Sequence, residues 1–175
     1  VVTSLTTGHP VRPLFDAAGG AVPYKWVKAP WYVASTNIKP RPSHQDIAFE
    51  NGASPQTGVT SEDAQVILNL PQGALPPRSG ETAVRMSFTP LDPKKLAKLP
   101  EPMRPNGNAY RVQMAYQPSG APLDALTTSG NVVMVVPDEA DRMLFSEEGK
   151  SWSDLPTQTL GDPTTVGSAF NTAGY

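Results

Sequence analysis

No cysteine occurs among the 175 residues. Disulfide frameworks, thiol nucleophiles, zinc–thiolate clusters and iron–sulfur centres are therefore excluded. Histidine is nearly as scarce: His9 and His44 are the two copies, and they lack the i, i+4 spacing that puts two imidazoles on one helix face. Charge is thin as well. Asp, Glu, Lys and Arg make up 17% of the chain and sum to a formal −2, against about 25% charged residues in an average soluble domain. So weak a field offers no long-range capture of nucleic acid, and no nucleic-acid partner is expected. No stretch approaches the roughly eighteen consecutive apolar residues of a transmembrane helix, so no membrane-spanning segment is expected.

Proline is what the chain has in excess, with 20 copies, roughly double its usual share of about 5%. The length suits one domain with an appended segment and is ample to bury a core. The chain opens on Val1-Val2 and breaks off at Ala173-Gly174-Tyr175 within an apolar–polar pattern, which points to further chain, an anchor included, beyond residue 175. The proline-rich, cysteine-free style matches a bacterial envelope protein, secreted or held at the cell surface.

Residues 1–44 hold Pro10, Pro13, Pro23, Pro30, Pro40 and Pro42. Each fixes its own φ and biases the residue before it towards extended backbone, so an extended segment packed on the domain is expected here. Within it lie Tyr24, Trp26, Trp31 and Tyr32. Rings so concentrated serve either as buried anchors or as an exposed stacking platform for a ligand such as a sugar.

From residue 45 the pattern becomes that of strands. Gln45–Glu50 alternates apolar and polar, Gln65–Leu70 is closed by Pro71, and between them Asn51-Gly52, Ser54-Pro55 and Gly58 read as one long turn-rich connection. In Thr82–Thr89 the side chains of Val84, Met86 and Phe88 share a face; in Ala109–Gln117 so do Tyr110, Val112, Met114 and Tyr116. Both read as antiparallel strands with one wet face. Val132–Val136 is apolar throughout and reads as a central strand buried on both faces. Arg142–Ser146 and Trp152–Leu155 form a hairpin about Glu147–Lys150, and Thr164–Phe170 closes the series with Val166, Ser168 and Phe170 on one face. Asp92 as N-cap and Pro93 at the first helical position predict one short helix over 92–99, and Val59–Ala64 predicts a helical turn. The predicted class is all-β: an antiparallel β-sandwich over 45–175.

The run Val66-Ile67-Leu68-Asn69-Leu70-Pro71-Gln72-Gly73-Ala74-Leu75 resembles the opening of the zonula-occludens/uncoordinated-type β-sandwich module of ankyrins and netrin receptors. The resemblance continues through Thr89-Pro90-Leu91-Asp92, the Tyr110–Tyr116 strand with Pro118-Ser119-Gly120, the Val132–Pro137 strand and the Phe145…Gly149…Trp152 hairpin, over about residues 66–170. It implies a module that binds other proteins. Some members of that family cut themselves at a His-Phe-Ser tripeptide; the corresponding place here reads Ala169-Phe170-Asn171, so self-cleavage is not implied.

Catalytic patterns are missing from the sequence. Gln117-Pro118-Ser119-Gly120-Ala121 has proline where a nucleophile elbow needs glycine, and no phosphate-cradling glycine motif occurs. Copper at the histidines with Met86, Met114 and Met134 would require methionines that instead fall at core-type positions. Asp138-Glu139-Ala140-Asp141 and Glu147-Glu148 lack the glycine of a calcium loop and read as loop acids, and Lys94, Lys95, Lys98 and Arg104 read as a solvated basic face. No enzyme, cofactor or metal is expected. The expected role is a non-catalytic extracytoplasmic structural or interaction module, with another protein or a cell-envelope polymer as partner. The alternative is a carbohydrate-binding module that stacks ligand on Trp26, Trp31 and Tyr32.

Overall fold

A computed structural model describes residues 40–175, apart from the side chains of Asp162 and Pro163, together with the backbone of three short strands before them. Those are β1 (Val2–Thr3), β2 (Pro10–Pro13) and β3 (Val33–Ala34), which form a small sheet with β1–β2 antiparallel and β2–β3 parallel. The remaining strands are β4 (Ser43–Ala48), β5 (Thr57–Thr60), β6 (Val66–Leu70), β7 (Ala83–Leu91), β8 (Ala109–Gln117), β9 (Ala125–Val135), β10 (Met143–Phe145), β11 (Ser153–Leu155), β12 (Gln158–Leu160) and β13 (Asp162–Thr172). The class is all-β, with antiparallel pairing throughout residues 43–172.

Two sheets enclose the core: a three-stranded one ordered β4-β7-β8 and a five-stranded one ordered β12-β13-β9-β6-β5. The alternation read in β7 and β8 is realised residue by residue. Val84, Met86 and Phe88 are buried together with Tyr110, Val112, Met114 and Tyr116, and in register Met86 faces Met114 and Phe88 faces Val112. Facing them, Leu68 and Leu70 of β6 and Val166 and Phe170 of β13 belong to the same apolar cluster. Each large side chain buried in this way contributes about 1.5–3 kcal/mol relative to exposure, which is what holds the layers together. On the wet side of β4 and β7, Asp46 lies opposite Arg85 and the two form a bidentate pair at 2.7 and 2.8 Å.

The far edge of β8 is covered by other parts of the chain. Pro122 bridges Ala115, and the Leu123 N–H donates to the Met114 carbonyl at 3.0 Å before the chain crosses into the other sheet as β9. Further along the same edge Gly174 exchanges both backbone hydrogen bonds with Val112, at 2.7 and 3.0 Å, and Tyr175 does the same with Ser146, at 2.7 and 2.9 Å. The tail thereby joins β8 to the β10–β11 hairpin. Gly174 is required there: a Cβ would lie 2.7 Å from the Ser146 carbonyl oxygen and from the Phe145 ring.

Several elements differ from the sequence-based expectation. The predicted 92–99 helix is a single 3-10 turn, Pro93–Lys95. Its Asp92 cap is as expected, the carboxylate accepting from the Lys94 N–H at 3.0 Å. The turn stops because the Ala97 N–H, which an α-helix would direct to the Pro93 carbonyl, donates instead to Gly149 at 3.1 Å. Val59–Ala64 is not a helical turn, since Val59 and Thr60 end β5 and the following residues turn into β6. The 51–58 connection runs directly into that strand, and β12 is a further strand beyond the expected set. β9 is central as expected but begins at Ala125, and its apolar run is only partly covered: Val132 is buried, whereas Val133, Met134 and Val135 are half-buried. The first strand of the three-stranded sheet, expected over Gln45–Glu50, runs from Ser43 to Ala48.

Candidate functional site

The stacking residues expected from the sequence, Trp26, Trp31 and Tyr32, lie outside the described residues, as do Tyr24 and His9. The expectation that the proline-rich segment packs on the domain falls there too. His44 is exposed on β4, while Met86 and Met114 are buried in the core as cross-strand neighbours. Among the described residues no group of three or more His, Asp or Glu is arranged to hold a metal ion, and no helix is long and apolar enough to cross a membrane.

The concave feature that does emerge lies where β7 ends and β8 begins. Two long connections frame it: residues 92–108 between β7 and β8, and residues 136–152, which include β10 and lead into β11. Between them opens a cavity of about 670 Å³, within the roughly 300–1,000 Å³ typical of small-molecule sites. It reaches the core, with Val66, Val132, Val166 and Phe170 on the side of the five-stranded sheet and Tyr110 and Val112 on the other. Its outer wall is aromatic and sulfur-bearing: Phe145, Trp152 and Tyr175, with Met103, Met134 and Met143. Unbranched thioethers adapt their shape to whatever they enclose, so such a wall tolerates varied apolar occupants.

Hydrogen bonds hold the two frames together. The Trp152 indole N–H donates to the Ala97 carbonyl at 2.8 Å, and the Asn106 amide donates to the carbonyls of Asp138 and Glu139, both at 3.0 Å. The Ala97–Gly149 backbone bond adds a third tie. Gly149 itself is set by its N–H donating to Ser146 Oγ at 2.8 Å, and Ser146 is the residue that receives the C-terminal tail. The cavity is thus pre-formed.

Its mouth carries both signs of charge. The 92–108 frame presents the basic cluster noted in the sequence, with Lys98 paired to Glu101 at 2.8 Å and Arg104 on the cavity rim. The 136–152 frame brings Glu139, Asp141 and Arg142 to the opposite rim, where Arg142 reaches Asp154 at 3.7 Å. The side chains of Arg104, Glu139 and Asp141 have no hydrogen-bond or ion-pair partner among the described residues. In the sequence the two charge clusters are separate, the acids reading as solvated loop residues and Lys94, Lys95, Lys98 and Arg104 as a solvated basic face. Only the fold places them across one opening.

Next to the cavity floor lies a buried polar group. Asp63, 4% exposed, accepts from Ser61 Oγ at 2.6 Å, from the Gln65 N–H and side-chain amide at 3.3 Å each, and from the Tyr110 hydroxyl. Ser61 Oγ in turn accepts the Val66 N–H at 3.0 Å. These bonds shape the β5–β6 turn and fix the ring of Tyr110, a wall residue of the cavity. No sequence pattern announced this cluster, because its members come from two separate stretches of chain.

No family model, curated protein or solved structure matches this chain.

Proposed function

We propose that the chain is a non-catalytic binding module of a larger secreted or surface protein, which receives the apolar part of a ligand or partner in the cavity between its two sheets. The observation that supports this reading is the cavity itself: apolar at its floor, rimmed by a few polar groups and tied in shape by hydrogen bonds between its frames. Ligand sites have this composition because burying apolar surface drives binding while sparse polar groups set orientation. The resemblance of residues 66–170 to a protein-binding sandwich module is compatible with it. Residence outside the cytoplasm rests on the composition and is tested by fractionating the full-length native protein, where recovery in the cytosol would reject it.

The uncharged fluorophore N-phenyl-1-naphthylamine tests the cavity. Saturable binding with a blue-shifted, brighter emission is expected. Ala140 lines the cavity, half-buried and packed against the apolar core, so Ala140→Trp should fill the cavity and weaken the probe at least about tenfold, or by about 1.4 kcal/mol, and far-UV circular dichroism checks that the variant keeps its strands. Equal binding to both proteins, or no binding to the wild type, would reject the reading.

A further inference from the structure

The apolar floor and the two-signed rim together specify a ligand more narrowly than an apolar pocket alone. Val66, Val132, Val166 and Phe170 make the floor chiefly apolar, although Asn108 and Tyr110 line the same cavity. A ligand that fills it needs a hydrocarbon body. The rim sets the head: Arg104 stands on one frame, Glu139 and Asp141 stand on the other, and the side chains of all three make no hydrogen bond or ion pair among the described residues.

A purely anionic head would meet Arg104 but face two carboxylates. A purely cationic head would reverse the problem. An uncharged head would leave all three exposed ions in water and gain nothing from them. A head carrying both signs matches the rim in one orientation, with its anion towards Arg104 and its cation towards Glu139 and Asp141. We infer that the cavity binds a single-chain zwitterionic amphiphile, of the phosphocholine or phosphoethanolamine kind, with the chain between the sheets and the head across the rim. This rests on the cavity-binding reading above and adds to it the class of ligand.

The test uses four amphiphiles with one dodecyl tail, each below its micellisation concentration, titrated into the full chain by calorimetry: dodecylphosphocholine, dodecanoate, dodecyltrimethylammonium and dodecyl maltoside. Dodecylphosphocholine is expected to bind tightest. Arg104→Gln should weaken it about three- to fivefold and turn the preference towards the cationic head, the size expected for partly exposed charge contacts. The Glu139→Gln/Asp141→Asn double variant should weaken it by a similar factor and turn the preference towards dodecanoate. Arg104 is exposed, as are both carboxylates, so these variants should melt as the wild type does.

Equal affinity for all four heads would overturn the zwitterion inference and leave the cavity reading standing. Binding of N-phenyl-1-naphthylamine without binding of any dodecyl chain would overturn it in favour of a flat aromatic ligand. Failure of the naphthylamine and of every dodecyl probe would reject the cavity reading together with the inference.

Discussion

The indole N–H of Trp152 donates across 2.8 Å to the carbonyl of Ala97, although the two residues belong to different connections of the sandwich. The bond makes one rigid rim out of two loops. Trp152→Phe keeps most of the apolar wall and deletes the donor. It should cost about 0.5–1.5 kcal/mol in urea unfolding, the usual net value of such a bond. It should also speed amide exchange at Ala97 and Gly149, which a loss confined to the ring would not do.

Tyr110→Phe removes one donor from the Asp63 carboxylate while leaving the ring in place. A buried acceptor deprived of a partner costs about 1–3 kcal/mol, and the loss should appear as a lower denaturation midpoint with an unchanged m-value. Ser61→Ala should act in the same direction. The two effects should not add, because both side chains serve one carboxylate.

Asp46 titrates below the ordinary carboxylate range, chiefly because Arg85 donates to it directly, with the charge of Arg85 adding to the effect and slight burial opposing it. The sign follows from the depressed folded-state value. Stability from the pair is present above the unfolded carboxylate value, near 3.8, and is lost as pH falls through the lower folded one. Asp46→Asn should therefore be less stable than wild type at neutral pH, with the gap closing below pH 3.8. Both side chains are well exposed, so the gap should be small and should shrink in high salt. Equilibrium unfolding of the two proteins across pH and ionic strength checks this.

Gly130 and Gly58 make a matched pair of substitutions. At Gly130, on β9, an added Cβ would lie 2.5 Å from the backbone oxygen of Asn69 on β6; at Gly58, on β5, the nearest atom would be the Asn69 side-chain oxygen at 3.6 Å. Gly130→Ala should push the two central strands apart and cost about 1–3 kcal/mol or more. Gly58→Ala should be nearly neutral. Thermal melts of both variants distinguish close strand approach from a general intolerance of alanine in strands.

Strands with one dry and one wet face were legible in the sequence because burial imposes a period of two on them. β8 was located to the residue and β7 nearly so. Thr57–Thr60 has a single core residue, Val59, and so carries no readable period. The first half of β9, with Thr127, Thr128, Ser129, Gly130 and Asn131, has loop composition yet is a strand because β13 pairs with it through Phe170 opposite Gly130. The 92–99 helix was predicted from its true cap, but the pull of Gly149 on Ala97 is a tertiary effect that no local pattern records. The same holds for the cavity. Its floor draws on β6, β8, β9 and β13, and its rim joins charges that in sequence look like unrelated loops.

The place of β9 in the five-stranded sheet also governs how the protein must come together. Its partners are β6, where Val66 faces Met134 nearly 70 positions away, and β13, which follows after the whole β10–β12 excursion. Neither pairing can begin as a local hairpin. Each requires a long loop to close before any reward arrives, so acquisition of the native state should be slow, on the order of milliseconds to seconds as for other chains dominated by distant pairings. During that wait β6, with its run of Val66, Ile67 and Leu68, has its hairpin partner β5 on one side and a sticky open edge on the other. Refolding yield should fall as protein concentration rises.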